Sequence, residues 1–345
     1  MFLQKNKINF WEINTLSFGI VTLDAIHAAA ELLRAGDTVA FPTETVYGLG
    51  ADAANPLALR RVFEAKGRPV DHPLIIHIAD ASQMAGWGRD IPERAWQLAD
   101  AFWPGPLTMI LQRGKRVLNE VTGGQETVAL RVPDHPVATA LLREFGDGIA
   151  APSANRFGRV SPTRAQHVCD ELGAHVGMIL DGGACRVGLE STIVSLVKGN
   201  VVLLRPGGIQ VAAIEEVLRQ SVMLTQPVGQ TVRVPGALAA HYSPATPLEL
   251  HSAETLSMRG FRLAAEGRNV AVLGLSAADK CGSGYCTYVP MPGQPDEYAH
   301  VLYSTLHRLD SAGFDHLLLE TPPDTMFWQA VRDRLRRAAK GALQT

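Results

Sequence analysis

Apolar residues at positions 23, 26, 30 and 33 recur every three or four residues, which predicts a helix over 23–35 with Thr22 as N-cap and Gly36 as stop. Short apolar runs then predict strands at 37–41, 74–78, 107–111, 127–132, 148–151, 178–180, 193–197 and 201–204. Between them, helices are predicted at 56–65 behind the cap Asn55, at 136–145 and at 211–218. The run 74–78 is apolar on both faces, as in a central covered strand, and Lys198-Gly199-Asn200 joins the last two strands into a hairpin. Residues 222–247 have little periodicity and hold Pro235, Gly236, Pro244 and Pro247, the composition of an interdomain linker. Beyond it a second, smaller α/β pattern places strands at 248–250, 270–273, 287–289 and 317–319, with helices near 254–266, 296–312 and 326–340. The expected organisation is a lead-in over 1–18, a first α/β domain over 19–221, a linker over 222–247 and a second α/β domain over 248–345.

The polar residues that interrupt this pattern are not scattered. In the first domain, hydroxyls and cations stand repeatedly at strand ends or turns: Thr45, Lys66, Arg68, Ser153, Ser161, Ser191 and Arg205. Lys66 and Arg68 flank Gly67 before an apolar strand, and such a pair suits phosphate oxygens, although a solvated loop would read the same way. Arg131 lies inside a strand, where burial is expensive unless a carboxylate, a phosphate or solvent receives it. His77, on the same strand face as Ile75, is either a satisfied core histidine or a ligand contact. His72 and His77 would face opposite sides of one strand and make a poor metal pair. Gly48-x-Gly50-x-x-Ala53 fits a dinucleotide fingerprint only formally, because no strand directly precedes it and no helix opens at its end. Ser153 lacks the glycines of a nucleophile elbow. Arg332, Arg334, Arg336 and Arg337 near the end of the last helix read as a solvated, dipole-matched terminus.

Composition narrows the partners. With 46% hydrophobic residues, 19% charged residues and a net charge of −2, any anion site must come from local clustering rather than a global field. A basic surface that grips RNA is disfavoured by that charge and by the lack of interleaved aromatic and basic residues. No apolar run approaches membrane length and no signal peptide opens the chain, so a cytoplasmic protein without a membrane partner is expected. Cys169, Cys185, Cys281 and Cys286 form neither a disulfide framework nor a zinc set, and no metal site is expected.

The segments PTETVYGLG (42–50), KGRP (66–69), HPLIIHI (72–78), WPGPLT (103–108), ALRVPDHP (129–136), APSAN (151–155), SPT (161–163), LESTIV (189–194) and LRPG (204–207) resemble the YrdC-like family. HYSPATP (241–247) and the extra α/β unit resemble its two-domain form, the L-threonylcarbamoyl-AMP synthases, with His72 standing where asparagine is common. The resemblance implies a YrdC-like twisted open sheet with a positive cavity on its concave face, followed by a smaller Rossmann-like α/β domain. It implies a nucleotidyltransferase that condenses L-threonine, bicarbonate and ATP into threonylcarbamoyl-AMP and pyrophosphate. That product would pass to tRNA threonylcarbamoyltransferase machinery acting on tRNAs that read ANN codons; direct tRNA binding is left open. By the matched motifs, Thr45, His77, Arg131, Ala151 and Ser191 would hold threonine, with Arg131 on its carboxylate. Lys66, Arg68, His72, Thr127, Ser153, Ser161 and Arg205 would hold ATP, with Tyr242 and Ser243 folding over it as a lid. Lys66 and Arg68 would carry catalysis on the phosphates, with Mg²⁺ sharing the charge. Besides the RNA-gripping surface, the alternative is a carbamoyl-handling transferase, since a similar domain occurs in hydrogenase-maturation carbamoyltransferases.

Overall fold

The computed structural model describes residues 21–224, 232–236, 240–275 and 286–341. The expected lead-in, parts of the expected linker and Cys281 lie outside these residues. Strands are numbered in chain order: β1 Val39–Phe41, β2 Gly48–Asp52, β3 Ile75–His77, β4 Gly88–Arg89, β5 Leu107–Arg113, β6 Thr127–Arg131, β7 Ile149–Ala150, β8 Met178–Ile179, β9 Thr192–Ser195 and β10 Val202–Arg205. They form one mixed sheet in the order β10-β9-β5-β6-β3-β7-β2-β1-β8, with β4 on β5. Its longer helices are α1 Leu23–Arg34, α2 Pro56–Lys66, α3 Glu93–Phe102, α4 Pro136–Phe145, α5 Ala165–Leu172 and α6 Val211–Leu218.

The period of two decides which side chains meet. Ile76, Met109, Leu111, Val128, Leu130 and Val194 point to one face and pack with Ala95 and Leu98 of α3, Ile214 of α6 and Trp87. Ile75, Ile110, Ala129 and Ile193 point to the other, where they pack against Val234 of the linker. The register sets His77 beside Arg131 on that second face. Thr22 caps α1 and Asn55 caps α2, as expected, and Gly67 (φ 61°) ends α2 in the left-handed region that glycine enters without a Cβ penalty.

A second sheet is parallel throughout, in the order β11-β14-β12-β13, from β11 Leu248–His251, β12 Val270–Gly274, β13 Thr287–Pro290 and β14 His316–Glu320. Helices α7 Ala253–Ala265, α8 Pro295–Asp310 and α9 Gln329–Gly341 accompany it. Its core of Leu273, Leu302, Leu306, Leu319 and Leu335 is continuous with Val46, Val160 and Leu189 of the first unit and with Tyr242. The two units therefore share a packed seam. No helix among the described residues is long and apolar enough to cross a membrane.

Candidate active site

Lys66 is the last residue of α2 and only 3% exposed; its Nζ donates to the carbonyls of Ser153 and Asn155. Arg68 is 7% exposed, donates from Nη2 to Pro73 O at 2.9 Å, and lies over the Phe157 ring at 5.8 Å. The pair is therefore not a solvated loop, and the strand that follows it starts only at Ile75. The end of a helix and a set of carbonyl dipoles hold it instead. Arg205, at the end of β10, is equally buried and donates to Ser191 O, Ser191 Oγ and Pro235 O at 2.9–3.0 Å. Among the described residues, none of these three cations is ion-paired with a carboxylate. Burial, with Arg68 second, lowers the Lys66 ammonium well below its usual value, and burial brings Arg68 down to about 10.

Arg131, the last residue of β6, meets a carboxylate: Glu44 Oε2 is 2.7 Å from Nη2, with both side chains buried. Its Nε also donates to Gly105 O at 3.2 Å. Glu44 is the partner of Arg131, and the sequence pattern alone does not single it out. What the sequence does show is a carboxylate between two threonines at the end of a strand. Thr45 Oγ1 is 2.8 Å from Thr43 Oγ1, and Thr43 Oγ1 also donates to Val46 O. Among the described residues, Glu44 Oε1 has no hydrogen-bond partner, and neither does His77 Nδ1. Ala151 continues the same floor, its N–H donating to Ile75 O at 2.9 Å. Thr108 Oγ1 lies 2.7 Å from Ser191 Oγ, which links Ser191 to Arg205; Thr108 was also missed.

The remaining candidates range from half-buried, as Ser153 and Thr127 are, to fully buried, as Ser161 and Tyr242 are. Ser153 is half-buried and bridges to Gly48; Thr127 is half-buried at the start of β6. His72 stacks edge-on against Phe157 at 5.2 Å, Phe157 against His241 at 6.1 Å, and His241 against Tyr242 at 4.2 Å. Tyr242 is buried with φ 64°, and its hydroxyl has no hydrogen-bond partner among the described residues. A Cβ on Gly236 would stand 2.0 Å from that hydroxyl, so this linker position requires glycine. Ser243 turns away from the sheet: its Oγ donates to Ala338 O at 3.0 Å in α9. Ser161 Oγ donates to Glu190 Oε1 at 2.6 Å. Glu190 in turn is paired at 2.8 Å with Arg334, which is 1% exposed. Arg334 is thus not part of a solvated helix end. Its position in α9 faces the seam between the units, which a count of charges along the helix does not reveal.

Residues 232–236 lie over this face, with Gln125 and Arg233 exchanging hydrogen bonds at 2.8 and 3.1 Å. The cavity left between Pro73, Thr127, Ala129, Arg233 and Pro235 is only about 10 Å³. A wider cleft of about 480 Å³ lies between Arg89, Arg94 and Lys198, but no candidate residue lines it.

Two buried imidazoles give the site a pH signature. Burial, then Arg131, pushes His77 from 6.5 down to about 3; burial, helped by Arg68, Lys66 and Arg205 against Glu190, does the same to His241. A lowered folded value means that the unfolded chain binds the proton first. The stability from each neutral ring is therefore intact above about 6.5 and is lost as pH falls from there toward 3. The expected result is a melting temperature that drops between pH 6.5 and 5, at up to about 1.4 kcal/mol per histidine per pH unit. His241→Asn should flatten that slope, and an unchanged slope would contradict the assignment.

Known proteins share this chain's sequence and fold over most of its length. The Sua5/YciO/YrdC family model, described as Telomere recombination, matches residues 31–207. The model for the threonylcarbamoyl-AMP synthase C-terminal domain matches 209–340. The chain is 43% identical over 329 residues to the threonylcarbamoyl-AMP synthase of Bacillus subtilis, covering 92% of this chain and 93% of that one. It is 40% identical over 330 residues to that of Pyrococcus abyssi, covering 91% and 94%. The crystal structure of P. abyssi Sua5 complexed with L-threonine matches with a TM-score of 0.85 at 38% identity, over 94% of this chain and 96% of that chain. That of E. coli YciO matches at 0.50 and 25% identity, over 56% of this chain and 94% of its own.

Proposed function

The chain belongs to the Sua5/YciO/YrdC family in its two-domain form, the threonylcarbamoyl-AMP synthases, and from that premise we propose how its buried face carries the reaction. The chain is a nucleotidyltransferase that makes threonylcarbamoyl-AMP from ATP and L-threonine. Bicarbonate supplies the carbamoyl carbon, and the product is handed on for threonylcarbamoyladenosine formation in tRNAs reading ANN codons, in the cytoplasm. The observation that carries the site assignment is the set of three buried cations, Lys66, Arg68 and Arg205, which hydrogen-bond to neutral oxygens and, among the described residues, are in direct ion-pair contact with no carboxylate. A buried charge without a counter-charge costs several kcal/mol in a folded protein, roughly, so such a set is retained for an anion that arrives. A triphosphate supplies that anion.

Threonine is a zwitterion, and the Arg131–Glu44 pair is its electrical complement. The threonine carboxylate adds to the guanidinium, and Glu44 Oε1 accepts from the ammonium. After losing a proton toward Glu44, the amine adds to carbon dioxide with release of a second proton, or to bicarbonate with loss of a water molecule, and either route gives the N-carboxylate (carbamate) of threonine. Thr45, His77, Ala151 and Ser191 complete the threonine side. On the other side a carbamate oxygen attacks the α-phosphorus and pyrophosphate leaves, with Lys66 and Arg68 neutralising the developing charge. His72, Thr127, Ser153, Ser161 and Arg205 position the nucleotide.

Among the described residues no three His, Cys, Asp or Glu side chains are grouped to cage a metal. Mg²⁺ would come in with ATP on its phosphates and would share their charge with Lys66 and Arg68. The linker is the gate. Residues 232–236 cover the Thr127 end of this face, where about 10 Å³ is left, at the lower limit for one water, and on this reading the segment moves aside for substrates and returns to exclude water. Tyr242 and Ser243 anchor the returning end, Ser243 through α9. On this reading 19–221 is the catalytic unit, 222–247 the lid and 248–345 its support. Pyrophosphate release by the purified chain should require threonine, bicarbonate and ATP together; release from ATP alone at the same rate would refute the reading.

A further inference from the structure

Glu190 immediately precedes Ser191 in the loop feeding β9, and groups from both units converge on it. Ser161 Oγ donates to its Oε1 at 2.6 Å, and Tyr303 OH of α8 donates to Oε2 at 3.0 Å. Arg334 of α9 donates from Nε to Oε2 at 2.8 Å and reaches the Glu190 carbonyl from Nη2 at 3.5 Å. Asp333 holds Nη1 at 2.7 Å, and the guanidinium lies 5.3 Å from the Tyr242 ring centroid. All four side chains, Glu190, Ser161, Tyr303 and Arg334, are buried. Two of the three side chains that satisfy the carboxylate thus come from the second α/β unit.

The hydrogen-bond inventory gives this arrangement a consequence. A serine hydroxyl has one proton to donate, and Ser161 commits it to Glu190. Ser161 Oγ can then only accept from a ligand. It suits a hydroxyl or amino group of the nucleotide and disfavours a bare phosphate oxygen, which needs a donor. Burial alone would raise the Glu190 carboxyl, but the charges of Arg334 and Arg205 and the Ser161 hydrogen bond bring it down to about 2. The acceptor role of Ser161 therefore depends on a cation supplied across the seam.

We propose that Arg334 is a positioning residue: reaching in from the second unit, it holds the Glu190 carboxylate in place so that Ser161 presents its oxygen as an acceptor to the nucleotide. The proposal rests on the ATP side of the reading above, and it gives the second unit a stated part in catalysis. Arg334→Met in the full chain should raise the ATP KM by about tenfold or more while moving the threonine KM by less than about twofold, the scale of a misplaced contact. A purely structural seam would move neither KM in the folded fraction. An unchanged ATP KM in folded Arg334→Met overturns the proposal.

If that variant fails to fold, Glu190→Leu/Arg334→Met, which removes both charges and the acceptor that fixes the Ser161 proton, carries the same test with the same two outcomes. Unfolding of both would make the pair a staple only, and would also overturn it. Calorimetric titration of ATP into wild type and variant separates the two layers of argument. Weakened ATP binding in the variant supports the proposal even if wild type releases no pyrophosphate, which would sink the reaction assignment alone. Equal ATP binding, or none to wild type, overturns the proposal.

Discussion

Lys66→Met and Arg68→Met should each cost at least about 10²-fold in pyrophosphate release, the usual loss when a group stabilising transition-state charge is removed, without loss of stability. The two halves of this expectation come from the same geometry. Lys66 and Arg68 are 3% and 7% exposed and bonded to carbonyls, so their charges are already costly in the folded state. Replacing a buried charge by an apolar side chain of similar length is often neutral or stabilising. A residue kept against that preference is kept for function, where stability and activity trade off. Steady-state release assays with parallel thermal unfolding check both halves. Full activity in either folded variant would remove it from the phosphate site, and a melting temperature lowered by many degrees would mean that the cations are structural.

The opposite expectation holds for Arg131. Its partner Glu44 is 1% exposed, so Arg131→Leu strands a buried carboxylate and should destabilise the protein by about 3–5 kcal/mol. Glu44→Gln/Arg131→Leu removes both charges and should recover most of that stability. It should not recover threonine recognition: its threonine KM should stay raised by about 10²-fold, far more than its ATP KM, because the charged hydrogen bonds to both ends of the zwitterion are gone. Chemical denaturation gives the first comparison and steady-state kinetics the second. Equal rises in the two KM values would detach the pair from threonine.

What the sequence carried, it carried through spacing. The strands at 74–78, 107–111 and 127–132 and the caps at Thr22 and Asn55 follow from local patterns, and they appear as β3, β5, β6, α1 and α2. β2 was not foreseen, because Gly48-Leu49-Gly50-Ala51-Asp52 has no β-branched residue and forms a strand through its pairing with β1 and β7. α3 and α5 were missed as well; α3 buries mostly alanines, a weak periodic signal. Individual candidates such as Arg131 and His77 were legible as residues needing partners. The partners were not, because Glu44 and Arg131 are distant in sequence and meet only through the sheet. Arg334 is the sharpest case: four arginines in six residues look like a solvated helix end until the fold sets one of them against Glu190, 144 residues away.

The central claim is that one buried face joins threonine, bicarbonate and ATP. Mass spectrometry of the product formed with ¹³C-bicarbonate tests it most directly. The account predicts a single adduct with the mass of threonylcarbamoyl-AMP, carrying one ¹³C and matched by an equal amount of pyrophosphate. AMP and pyrophosphate without a labelled adduct, or ADP and phosphate in their place, would contradict it.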